Sequence, residues 1–180
     1  MNLKRIKIIS TISSFLLSFL CHFLYDLFPN VLFSVFFPVN ESIFEHMKII
    51  SSSILIYSII EYILLKKFKL NFSNFIFNIF ISCISNIFIF LIIFLPIYYR
   101  FGENIIVTLI LLFISIIVTQ FISYKILSMK KNYNYLNIVS LIMIIVIYVL
   151  FGYLTYNPII CPFFFDPMAE KYGISTYLIY

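Results

Sequence analysis

Between Phe72 and Ile97 the chain reads FSNFIFNIFISCISNIFIFLIIFLPI, without one Asp, Glu, Lys or Arg. At roughly 1.5 Å per residue, a helix of this length crosses the roughly 30 Å hydrocarbon core of a bilayer. Comparable apolar runs cover 6–28, 43–65, 104–127 and 136–156, so five membrane-crossing helices are expected. They are helices because an open strand edge leaves backbone groups unpaired in lipid. The expected fold is an all-α integral membrane bundle forming one domain over 1–180.

Composition points the same way. Of 180 residues, 63% are hydrophobic and only 11% charged, and the mean hydropathy is +1.11, outside the range of soluble domains. The net charge of +5 does not imply nucleic acid, because the lysines cluster at helix ends, where topology accounts for them. Phe and Tyr share AT-rich codons with Ile, Asn and Lys, so the 23 Phe and 14 Tyr in part reflect base composition and are not read as a ligand platform. Cys21, Cys83 and Cys161 show neither CxxC spacing nor an even count, which indicates neither a disulfide framework nor a thiolate zinc site. A Cys21–Cys161 bond is the one pairing left open.

Charge orients the chain. Lys4, Arg5 and Lys7 precede helix one, Lys66, Lys67 and Lys69 follow helix two, and Lys125, Lys130 and Lys131 follow helix four. The positive-inside rule places these ends and the N-terminus in the cytoplasm. The loop 29–42 and the tail 157–180 then lie outside, the loop in the membrane interface and the tail as a flap broken by Pro158, Pro162 and Pro167. The first helix is read as retained, since its apolar stretch is long and lacks a small-x-small cleavage site. Localisation in a bacterial cell membrane is expected.

Polar residues recur on one side of each helix. Ser10, Ser14, Ser18, His22 and Asp26 mark helix one; Ser42, His46, Ser53, Tyr57 and Glu61 mark helix two. Asn71, Asn74, Asn78, Ser82 and Ser85 mark helix three, and Thr108, Ser115, Thr119 and Ser123 helix four. These faces point into the bundle, either as packing surfaces or as a hydrated interior. Glu61 is expected to snorkel toward Lys66 and Lys67.

Most groups with chemical potential fall at the outer end. His22 and His46 lie at similar depth on antiparallel helices, Asp26 is one turn from His22, and Glu41 and Glu45 open helix two. Two imidazoles with carboxylates suit a divalent metal such as Zn, or a proton-transfer pair, because such groups are costly in lipid unless they meet each other or a cation. The metal set is His22, Asp26, Glu41 and His46; the catalytic set is His22, Asp26, Glu45, His46 and Asp166, the last on the flap. A structural reading stands beside this. Ser42-Ile43-Phe44-Glu45 is a capping box, Lys48 can neutralise Glu41 or Glu45, and His22 can bond Asp26. Arg100 and Glu103 are expected to pair with each other or with lipid phosphates.

The stretch from Pro38 to Lys48, PVNESIFEHMK, with a preceding His22 and Tyr25, Asn157-Pro158, Phe164-Phe165-Asp166-Pro167 and Tyr172-Gly173-Ile174, resembles a family of small multi-pass bacterial membrane proteins classed as a domain of unknown function. The family pattern carries Trp where this chain has Phe44, both read as interfacial aromatics. The resemblance implies a fold and a candidate outer-face site, and brings no activity. The reading is therefore a membrane protein of unknown function in contact with the lipid bilayer. A membrane enzyme acting on a lipid or envelope substrate is the alternative, and a small transporter or partner-binding subunit the second. Protein partners and homo-oligomers are left open.

Overall fold

The computed structural model describes residues 1–174; the last part of the expected flap, 175–180, lies outside the described residues. Helix α1 runs Leu3–Leu27, the short α2 Val31–Phe36, α3 Ile43–Lys67, α4 Phe75–Phe101, α5 Ile105–Leu127 and α6 Asn134–Tyr156. All but α2 are long and apolar enough to cross a membrane, which makes this an all-α, multi-pass membrane bundle. Helices α1, α3, α4 and α5 close a ring, each packed on the next, while α6 lies against the outside of α4 and carries α2 on its flank.

Side-chain chemistry explains which face each helix turns inward. Ser10, Ser14, Asn86 and Thr119 are fully buried, whereas Ile92, Phe121 and Ile138 are each more than 60% exposed. A soluble bundle would have this reversed; in lipid the apolar faces need no cover and the polar faces must find one another. Helix ends are set by local chemistry. Asn2, Asn30, Ser42 and Asn104 accept hydrogen bonds from backbone N–H groups of the first turns they precede. Gly102, at φ 77°, ends α4 in a conformation that favours glycine.

Several details depart from the sequence reading. Helix α4 continues past Ile97, where the apolar run was expected to end, to Phe101, so that Pro96 lies inside it. It starts at Phe75, so Asn71 and Asn74 precede it and lace two connecting loops together. Asn71 donates to the Met129 carbonyl (2.9 Å) and Asn74 to that of Lys131 (2.9 Å). The loop 29–42 contains α2, capped by Asn30. The tail forms a 3-10 turn, Pro162–Phe164, then a minimal antiparallel hairpin in which β1, Phe165–Asp166, pairs with β2, Lys171–Tyr172. No disulfide forms: Cys21 packs with Phe37 and Ile49, while Cys161 packs in the separate cluster of Phe44 and Phe164. Phe44 is buried and stacks on Phe164 with ring centres 4.5 Å apart.

Candidate functional site

His22, near the end of α1, His46, in the first turn of α3, and Glu41, in the loop before it, converge at one end of the bundle. Glu41 stands between the two imidazoles, with Oε1 3.7 Å from His22 Nε2 and Oε2 3.4 Å from His46 Nε2. One ligand atom from each residue can be chosen so that all three lie within 4.8 Å of one another. Two ligands about 2.1 Å from a tetrahedral zinc stand about 3.4 Å apart, so the cluster is close to a metal-sized cage. The His46 Nδ1 lies 2.9 Å from the Ser42 carbonyl, which can only accept. Nδ1 therefore carries the proton, and the Nε2 lone pair is presented toward Glu41. His22 Nδ1 is buried without a partner.

Below the cluster lies a cavity of about 240 Å³. Its polar groups are the three cluster residues with Ser18, Glu103 and Thr108; its walls are otherwise apolar, with Phe19, Phe23 and Leu109 among them. Phe19, Phe23 and Ile105 are also exposed on the outer surface of the bundle, so the cavity wall is continuous with the lipid-facing surface of α1 and α5. The expected Arg100–Glu103 pair is not formed among the described residues. Arg100 lies over the Phe101 ring and Glu103 turns to the cavity.

The other carboxylates singled out from the sequence go elsewhere. Asp26 is exposed and outside the cluster. Only half of the capping box forms, the Glu45 N–H donating to Ser42 Oγ at 3.3 Å. The Glu45 side chain turns to the buried Lys48 (2.7 Å), accepts from the Val39 N–H (3.0 Å), and accepts from the Thr155 hydroxyl of α6 (2.7 Å). Lys48 uses its remaining donors on the Ser34 carbonyl (2.6 Å) and on Thr155. A fully buried ammonium leaves Glu45 no freedom to reach its own helix end. Asp166 is buried and accepts from the N–H groups of Met168 (2.8 Å) and Ala169 (3.0 Å), a turn of the Asp-Pro type. Its second oxygen accepts the Glu41 N–H at 3.2 Å. Asn40 donates to the Gly173 carbonyl at 2.9 Å. The tail thus holds the loop on which Glu41 sits.

A second charged group lies at the opposite, lysine-rich end. Glu61 does not reach Lys66 or Lys67; it is buried and pairs with Lys7 of α1. Lys66 and Lys67 lie on exposed parts of α3, while Lys7 of the adjacent α1 meets Glu61 inside the ring. Ser10 donates to Glu61 (3.3 Å), Lys7 bonds Ser123, and Ser123 donates to Asn78 (2.6 Å). All four ring helices contribute to this network.

Residues 1–174 match the model of a family described as a family of unknown function (DUF6512). The chain belongs to that family. No curated protein and no solved structure matches it. Family membership therefore carries no activity to this DUF6512 chain, and the function rests on the geometry. Two residues of that geometry were missed in the sequence. Thr155 stands in an apolar helix end with nothing to mark it, and Lys7 was absorbed into the basic flank of helix one.

Proposed function

We propose that the protein is a metal-dependent membrane enzyme in which His22, Glu41 and His46 hold one divalent cation, zinc being favoured by the nitrogen and oxygen donors. The supporting observation is the convergence of these three side chains, with His46 held through Nδ1 by the Ser42 carbonyl so that its Nε2 lone pair is available to a cation. Three protein ligands leave a coordination position open, the pattern of catalytic rather than structural zinc. A cation there, when bound, would polarise a carbonyl or phosphoryl oxygen. The apolar cavity below, bordered by the lipid-facing Phe19 and Phe23, suits the hydrocarbon part of a lipid substrate. Glu103, in the same cavity and outside the cluster, is the carboxylate positioned to take a proton from an attacking water. Asp26, Glu45 and Asp166 have no direct role in this reading; Asp166 positions Glu41. The lysine-rich end faces the cytoplasm and the site opens on the outer side of a bacterial cell membrane, as the distribution of Lys and Arg indicates.

Elemental analysis of protein purified without chelator tests this. About one divalent metal per chain is expected in the wild type, and loss of it in folded His22→Ala, His46→Ala and Glu41→Gln variants. A metal-free wild type from a chelator-free preparation would sink the proposal.

A further inference from the structure

Inside the ring, between the Lys7–Glu61 network and the floor of the histidine cavity, lies a set of buried polar side chains with no hydrogen-bond partner. Ser14 of α1, Ser82 and Asn86 of α4, and Thr119 and Gln120 of α5 each have at least one polar atom so placed, and the Asn86 amide lacks partners at both its nitrogen and its oxygen. All five are at least nine-tenths buried. Asn78, Ser82 and Asn86 recur every four residues on the inward face of α4, which carries the polar surface roughly 12 Å up from Asn78. An unmet polar group in a bilayer interior costs several kcal/mol, and several along one column are tolerated only when something bonds to them. Buried water, at about three hydrogen bonds per molecule, fits a wall of hydroxyls and amides.

The column stops at an apolar layer. Ile50 of α3, Phe90 of α4, and Leu112 and Ile116 of α5 form one buried cluster, with Phe15 of α1 packed against it. Ile50, Phe90 and Leu112 are at the same time walls of the histidine cavity. The serines at this level, Ser18, Ser53 and Ser115, spend their hydroxyls on carbonyls of their own helices, so among the described residues the layer offers water no unpaired polar atom.

We propose that the ring encloses a water-filled proton pathway, entered at Glu61 and closed beneath the histidine cavity by the apolar layer acting as a dewetting gate. Ionisable residues inside a membrane domain mark such relays, and hydrophobic constrictions gate water-filled pores. Glu61 and its partner Lys7 form the proton-exchanging end; Asn86 and Thr119 order the water; Phe90 and Leu112 hold the pathway shut. The pathway does not depend on metal at the outer cluster.

The experiment uses the full chain in vesicles of phosphatidylethanolamine and phosphatidylglycerol that enclose a pH-sensitive dye, with a potassium–valinomycin potential driving proton entry. Wild type should be nearly as tight as protein-free vesicles. Phe90→Ser and, as an independent opening, Leu112→Ser should each raise proton entry roughly tenfold or more once the layer wets. Adding Asn86→Leu or Glu61→Gln to either opened variant should return entry toward the wild-type rate. Two monodisperse, fully helical opened variants as tight as protein-free vesicles would overturn the proposal. So would conduction that survives both Asn86→Leu and Glu61→Gln, or escape of the dye itself, which marks a damaged bilayer.

Discussion

The pair of Glu45 and Lys48 predicts a large non-additive effect on stability. Lys48 is 0% and Glu45 1% exposed at the side chain, and their 2.7 Å contact is joined by Thr155, Ser34 and Val39. Glu45→Gln keeps the shape but leaves a buried ammonium with only neutral acceptors, and breaking such a pair costs about 3–5 kcal/mol. Lys48→Met strands the carboxylate, but the Val39 N–H and Thr155 hydroxyl remain as donors, so its expected cost is nearer the lower bound of about 3 kcal/mol. The double variant buries no charge and should be about 2–3 kcal/mol more stable than the sum of the single losses predicts, within the usual range for contacting residues. The chain contains no Trp, so unfolding in mixed micelles is best followed by circular dichroism. Additivity within about 0.5 kcal/mol would refute the reasoning, because contacting charges that do not couple are not a buried pair. With the proposed metal site, all variants that fold should bind metal as the wild type does, which separates Glu45 from Glu41.

Asp166→Asn removes the charge that holds the Glu41 N–H while keeping an acceptor for the turn. Metal affinity, read by competition with a chelating dye, should fall roughly tenfold to a hundredfold with the melting behaviour little changed, as for other groups that orient a metal ligand. Gly173→Ala places a Cβ 2.6 Å from the Thr155 carbonyl oxygen at a residue with φ 60°. The tail should lift from α6 and from Asn40, lowering stability by more than about 1 kcal/mol and speeding limited proteolysis after residue 160.

The helices were legible because lipid imposes one rule on every spanning segment, and that rule is local: an apolar run long enough to cross. The convergence of His22, Glu41 and His46 also followed from local facts, since a helical hairpin brings the two histidines to equal depth and a helix start beside them fixes Glu41. Partner choice was not local. Glu45 is shared between Lys48, three residues on, and Thr155, 110 residues on, and only the placement of α6 decides the second contact. Glu61 likewise had two nearby lysines on its own helix and took Lys7, because burial in the ring favours the cation that is itself enclosed. The flap was legible as a proline-broken segment. Its grip on Asn40 and Glu41 was not, since a side chain that bonds a distant backbone group carries no mark of which group it will meet.

That grip sets an order of events during synthesis. Helices enter the membrane from the N-terminus onward, so the histidines are in place long before the tail exists. The backbone of Glu41 acquires its Asp166 anchor, and Asn40 its Gly173 anchor, only once the segment through Gly173 has been made and can pack on the hairpin. The histidine cluster is thus completed last, and a nascent chain halted after α6 would be fully inserted yet with Glu41 still unanchored between the two imidazoles.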